Sequence, residues 1–223
     1  MKSRVVLVIS AITFAVSIAV SAWAWGQVPD GAQIPIHWGL NGEANGYAPK
    51  AVGLLLVPGI ILLIGLIFAA IPFIDPRREH QERSTTARIW ILGATMVLLG
   101  GVHAVSVLTV LGARFDIGRV VVIGVSGMFI VIGNFLGKTR SNWFVGIRTP
   151  WSLSSERAWS QTHRLGGYLF MAAGVVSITL ALVTPPVVFA YGMFVAAGLA
   201  GLVPVVYSYF AWRSDPDRRS WGG

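Results

Sequence analysis

The chain has 223 residues, of which 55% are hydrophobic and only 12% charged, and its mean hydropathy is +0.70. Soluble domains carry about 25% charged residues, so this composition excludes an ordinary soluble globule and points to an integral membrane protein. There is no cysteine, which excludes disulfides and thiolate-ligated metal, and the net charge of +8 has to be read against a membrane before it is read as a nucleic-acid footprint.

Six apolar stretches are long enough to cross a bilayer, which takes roughly 17–25 helical residues. Lipid offers backbone groups no hydrogen-bond partner, so each stretch should be helical. The expected fold is an all-α, multi-pass membrane protein forming a single domain over residues 1–223. Its spans are placed at residues 5–25, 51–73, 89–111, 120–136, 165–183 and 187–212. The first span follows Lys2 and Arg4 and ends in Ala22-Trp23-Ala24, which also fits a cleavable signal sequence. Its length, and the interfacial anchors Trp23 and Trp25, favour a retained helix.

The loop at residues 26–50 contains Ile34-Pro35-Ile36-His37-Trp38, an extended piece because proline fixes its own φ and biases its predecessor toward β. Gly39, Gly42 and Gly46, with Asn41 and Asn45, supply tight turns. His37, Trp38, Glu43 and Tyr47 are the ligand candidates here. His37 with Glu43, joined by Asp116, is too sparse and irregular a set to assign a metal, and hydrogen bonding within the turns is the plainer role.

Pro58 and Pro204 should kink the second and sixth spans. His103 lies near the middle of the third span and Asn134 in the fourth. An ionisable intramembrane residue is a functional candidate by default, yet a neutral histidine also bonds across helices. No Asp, Glu, Lys or Arg lies in the central part of a span, which argues against proton-coupled transport. Gly133-x-x-x-Gly137, Gly192-x-x-x-Ala196 and Ala197-x-x-x-Gly201 allow close helix packing, within the chain or in a homodimer.

The loop at residues 137–164 exceeds what a turn between helices needs, about 2–8 residues. It holds Asn142, Phe144, Arg148, Trp151, Trp159, His163 and Arg164. Thr149-Pro150 ends regular structure, after which Ser152 can cap a short amphipathic helix from about Leu153 with Glu156 in its first turn. Ser152, Glu156, Trp159 and His163 then share one face, and Arg157 and Arg164 another. Exposed Trp and Arg dominate binding hot spots, so the loop is either a docking platform for a cytosolic partner or a lock on the helices and lipid surface. Catalysis by His163 and Glu156 lacks a nucleophile, metal or cofactor, so no enzymatic activity is expected.

Orientation follows from the basic residues. With both termini cytoplasmic, only Lys50, Arg114 and Arg119 of the 17 Lys and Arg fall in outside segments. That asymmetry is the positive-inside rule, and it accounts for the net charge without nucleic-acid binding. The protein is expected in the plasma membrane of a bacterium or archaeon.

The two loops together resemble a known family. Asn142, Phe144, Gly146-Ile147-Arg148-Thr149-Pro150-Trp151, Leu153, Ser155, Trp159, Thr162-His163-Arg164-Leu165 and Gly167 resemble the signature of SdpI-type membrane proteins. Ile34-Pro35, His37-Trp38, Gly42-Glu43 and Gly46-Tyr47 resemble a companion domain of unknown function. The resemblance implies immunity to a secreted antimicrobial peptide or toxin met outside, and recruitment of a cytosolic transcriptional repressor inside. It implies no cofactor. The competing readings are a small lipid or peptide permease, which requires a cavity reaching His103, and a membrane-embedded metal-dependent enzyme.

Overall fold

In the computed structural model, residues 2–74, 81–142 and 145–218 are described, with side chains omitted at residues 2–3, 72–74 and 81–84. Six long helices of spanning length and composition dominate. They are α1 (Lys2–Trp25), α2 (Lys50–Ile74), α3 (Gln81–Val110), α4 (Ile117–Leu136), α6 (Glu156–Val183) and α7 (Pro186–Arg213), with a one-turn α5 (Pro150–Leu153) between α4 and α6. The chain is thus an all-α, multi-pass cell-membrane protein. Pro58 and Pro204 sit inside α2 and α7, which continue through them.

The helices form two groups. α1, α2 and α3 pack on one another, as do α4, α6 and α7, and the α3–α4 contact joins the groups. Within the second group α4 and α6 cross closely because glycine removes the obstruction. A Cβ on Gly133 would lie 2.6 Å from the Gly167 carbonyl oxygen, and one on Gly167 would lie 2.7 Å from that of Gly133. A Cβ on Gly174 would lie 2.6 Å from the Ser126 carbonyl oxygen. Without a hydrophobic driving force in lipid, such backbone approach is what holds helices together. Gly133 therefore packs within the chain, and so does Gly192, whose Cβ would meet Leu180.

Between α1 and α2 stands an antiparallel hairpin, β1 (Gln33–Trp38) and β2 (Ala44–Pro49). The extended reading of Ile34–Trp38 holds; the second strand is an addition. The hairpin is seated rather than tethered. Ile34 is buried with Ala24, Val28, Leu54 and Val107 at the ends of α1–α3. A Cβ on Gly53 would lie 2.4 Å from Ile34 Cβ, so the missing side chain in α2 makes the socket for the strand.

Two helix starts lie ahead of the expected ones. α3 begins at Gln81 and α6 at Glu156, well before the apolar runs at residues 89 and 165. Hydropathy reports the part of a helix at lipid depth, whereas the helix itself begins where a cap satisfies its first N–H groups. For α6 that cap is Ser155, whose side chain accepts from the Ala158 N–H. A short helix does precede the fifth span, but it is α5. The stretch carrying Trp159, His163 and Arg164 is the first part of the spanning helix itself.

Candidate functional site

Two constructions stand at opposite ends of the bundle: the hairpin, and a knot made by residues 137–142 and 145–155 with the start of α6 and the end of α7.

The knot centres on His163. The Ile147 N–H donates to His163 Nε2 (2.9 Å), and His163 Nδ1 lies 2.8 Å from the Trp159 carbonyl. A backbone N–H only donates and a carbonyl only accepts. Nε2 is therefore the acceptor, Nδ1 carries the proton, and the ring is neutral with its tautomer fixed from both sides. Trp159 lies parallel to it, with ring centroids 3.9 Å apart, and donates its indole N–H to the Thr139 carbonyl (3.0 Å). Gly146 passes over this pair at φ +131, with no room for a side chain.

The rest of the loop is bonded in the same manner. Asn142 donates from Nδ2 to the Arg140 and Val145 carbonyls (2.8 and 3.0 Å) and accepts from the Val145 N–H (2.7 Å). Thr149 and Ser152 form a reciprocal capping box around α5. The Ser208 hydroxyl of α7 donates to the Val205 carbonyl (2.6 Å), which leaves Thr149 to donate to Ser208 Oγ (2.8 Å). Ser155 donates to the Asp215 carboxylate, tying the chain beyond α7 to the cap of α6. That hydroxyl, with Arg157 and Arg218 nearby, holds the Asp215 carboxyl below the ordinary carboxylate range against the opposing effect of burial.

These positions correct the docking expectation for three residues. Asn142, Trp159 and His163 are 2%, 1% and 0% exposed, so their side chains are not available to a partner. Of the two alternatives for the loop, the lock is what they build. Arg148 and Arg164 are exposed, and Trp151 is half-buried edge-on against Tyr209 (5.3 Å). Phe144 lies outside the described residues. Ser152 is in α5 and Glu156 in α6, where Glu156 faces Arg140 (3.7 Å), so the expected four-residue face reduces to Trp159 and His163. Thr139, Ser208 and the Ser155–Asp215 bond carried no signal in the sequence, and Gly146 entered only as part of the signature stretch. Ser152, expected as the cap of a helix from Leu153, is instead the third residue of α5; Thr149 caps α5 and Ser155 caps α6.

On the hairpin, His37 Nδ1 lies 2.5 Å from Asn45 Oδ1, while Asn41 donates to Glu43 (2.8 Å). His37 and Glu43 thus each engage a different asparagine. Among the described residues no group of three or more His, Asp or Glu is placed to hold a metal ion. Trp38 is half-buried, whereas Ile36, Leu40 and Tyr47 are exposed. At the hairpin base Lys50 bonds Asp30 (2.8 Å) and sits over the Trp25 ring. The ammonium lowers the Asp30 carboxyl from its ordinary value.

His103 is buried where α1, α2 and α3 meet. Its Nε2 lies 3.2 Å from the Ser17 carbonyl and 3.0 Å from Ser21 Oγ, and Ser21 donates to the Leu54 carbonyl (2.6 Å). The carbonyls require Nε2–H, so one proton chain links three helices. Asn134 lies within the spanning helix α4. It is exposed in the last turn of α4, where Lys138 bonds it (3.3 Å). A groove of about 690 Å³ runs between α1, α3 and α4, and His103 is not among its lining residues.

Residues 138–208, which hold the knot from Thr139 to Ser208, match the SdpI/YfhL protein family, and residues 12–62, which hold the hairpin, match a domain of unknown function, DUF1648. Over these two stretches the chain resembles SdpI-type membrane proteins. It is similar to the immunity protein SdpI of Bacillus subtilis (strain 168), with 24% identity over 207 residues that cover 92% of this chain and 95% of that protein. No solved structure matches it. The SdpI/YfhL match begins just after α4 and takes in α5, α6 and most of α7, and the DUF1648 match takes in the hairpin with parts of α1 and α2.

Proposed function

We propose that the protein is a membrane immunity protein, protecting its cell from a membrane-active antimicrobial peptide. The similarity to an immunity protein over nearly the whole of both chains carries this reading, because it includes the hairpin and the knot together. The skewed distribution of Lys and Arg supports an outward-facing hairpin and cytoplasmic termini. In this reading the peptide meets the exposed hairpin surface of Ile36, His37, Leu40, Glu43 and Tyr47, with Trp38 beneath. Aromatic and aliphatic side chains on a rigid support lose little entropy on binding, and a seated hairpin supplies that support.

A finer proposal concerns the opposite face. There Arg148, Trp151 and Arg164 are offered to a cytosolic partner such as a transcriptional repressor, while the buried Asn142, Trp159 and His163 keep them in place. The reading requires no catalytic step. The permease alternative draws less support, because His103 is engaged with Ser17 and Ser21 and the groove is lined without it.

The test is survival. Cells sensitive to a candidate peptide, drawn from a secreted-peptide gene next to this one, should gain resistance on expressing the protein. A Tyr47→Ala, Ile36→Ser double variant should lose most of that gain at unchanged protein level. Absence of protection by the parent protein, or full protection by the double variant, overturns the proposal.

A further inference from the structure

The groove between α1, α3 and α4 has a chemistry that neither the hairpin nor the knot accounts for. Ile9, Ala94, Val97, Leu98, Met128 and Val131 are among its apolar walls. Its floor includes Gly93, Gly101 and Gly127, and above each the space that a side chain would take is empty to 4 Å. At about 690 Å³ it falls within the range of small-molecule sites, about 300–1,000 Å³.

One end of the groove is built differently. Trp90, a lining residue, stacks on Phe135 with centroids 5.6 Å apart. Lys138 Nζ lies 4.9 Å from the centroid of the same Phe135 ring and bonds Asn134. The spacing on α4 is continuous. Val120, Gly124, Gly127 and Val131 line the groove, Asn134 and Phe135 extend that helix face by the same period, and Lys138, in the turn just past the α4 C-cap Gly137, reaches back to both. A single stripe therefore runs from an apolar trough at the depth of the spans, past an aromatic pair, to an exposed cation at the membrane surface. Arg140, next along the chain, is also exposed there.

We propose that this groove is a binding site for one anionic phospholipid. An acyl chain lies in the trough over Gly93, Gly101 and Gly127, and the headgroup phosphate meets Lys138 and the amide of Asn134. A second copy of the chain fits less well. An ordinary spanning helix presents side chains along its length and does not end in an anion, whereas an amphiphile matches trough and cation together. Tryptophan at headgroup depth with a lysine beyond it is the arrangement that favours an anionic surface.

The experiment is lipid retention by the full chain, purified in mild detergent from membranes of mixed composition and weighed intact by native mass spectrometry. The parent should carry one phospholipid, enriched in phosphatidylglycerol over phosphatidylethanolamine. Gly127→Leu places a side chain in open space, so it should keep the parent's elution volume and thermal transition while losing the bound lipid. Gly93→Leu, on α3 instead of α4, provides the same test should Gly127→Leu fail to fold. Lys138→Gln should retain lipid but lose about fivefold of the preference for phosphatidylglycerol, roughly what one lysine contributes near an anionic surface. Three outcomes overturn the proposal: a lipid-free parent, folded glycine variants that retain as much lipid as the parent, or a change of oligomeric state in place of lipid loss.

Discussion

Gly146 and His163 occupy space that only glycine can share. A Cβ at Gly146 would fall 2.2 Å from His163 Nε2, the atom that accepts the Ile147 N–H, and the Gly146 backbone is at φ +131. Gly146→Ala therefore meets a steric and a conformational penalty at once. The backbone strain alone is about 1–3 kcal/mol, and displacing the ring orphans a backbone donor at a further 1–3 kcal/mol or so. Thermal unfolding in detergent should show a transition well below the parent's. A variant as stable as the parent would mean that the loop passes His163 by another route.

The Trp159–His163 stack and its hydrogen bonds are separable. Trp159→Phe keeps an aromatic face but loses the indole N–H to Thr139, at about 0.5–1.5 kcal/mol. His163→Phe keeps the stack but leaves the Ile147 N–H without its acceptor, while the Trp159 carbonyl keeps its helical N–H partner, so it should cost more, about 1–3 kcal/mol for the buried donor left unpaired. Denaturation midpoints should rank parent, Trp159→Phe, His163→Phe. If the signature residues served only a cytosolic partner, both variants would match the parent in stability.

The contrast between these buried groups and their appearance in the sequence shows what could be read beforehand. The six spans were legible because lipid enforces one rule on every residue within them. The hairpin was half legible: Pro35 marked the extended strand, but Ala44–Pro49 has neither the β-branched content nor the alternation of a strand. The direction in which Trp159 and His163 point was hidden. Trp and His four apart on a helix describe a shared face, and nothing local says whether that face meets water or residues 139–147. The Ser155–Asp215 and Thr149–Ser208 bonds join positions about sixty residues apart, beyond the reach of any spacing rule.

His103 and Ser21 act as a relay between three helices, so their contributions should be coupled. Intramembrane hydrogen bonds average about 0.6 kcal/mol, with a maximum near 1.7. His103→Leu and Ser21→Ala should each destabilise by an amount in that range. The double variant should fall short of the sum, since either change breaks the same chain to Leu54. A proton-translocating His103 would instead show variants of parental stability with lost ion flux in vesicles.

Asp215 links stability to pH. Its folded-state carboxyl lies below the ordinary value, mainly because Ser155 donates to it. A depressed carboxylate contributes stability above the unfolded value, about 3.9, and loses it as pH falls through the folded value. Asp215→Asn should therefore lower the unfolding temperature at neutral pH. The gap to the parent should narrow as pH drops below about 4, where the unfolded chain takes up a proton that the folded carboxylate still resists. A gap independent of pH between 7 and 3 would assign the loss to packing instead of charge.

Gly53 offers a way to disturb the hairpin without touching its surface. The position lies inside α2, where alanine is intrinsically the better helix former by about 1 kcal/mol, so the helix itself gains from Gly53→Ala. The new Cβ, however, would fall 2.4 Å from Ile34 Cβ and 2.6 Å from Ile34 Cγ2, and β-branched Ile34 has few rotamers into which to retreat. Strand β1 must lift from its socket between Ala24, Leu54 and Val107. The expected result is a folded bundle whose hairpin amides exchange hydrogen faster than the parent's, with the α4–α6–α7 group unchanged. If the hairpin is the peptide-facing surface, the same variant loses resistance in the survival assay while remaining at parental level in the membrane. Retained resistance alongside faster exchange would separate the hairpin from immunity, and move the peptide-facing role to another surface.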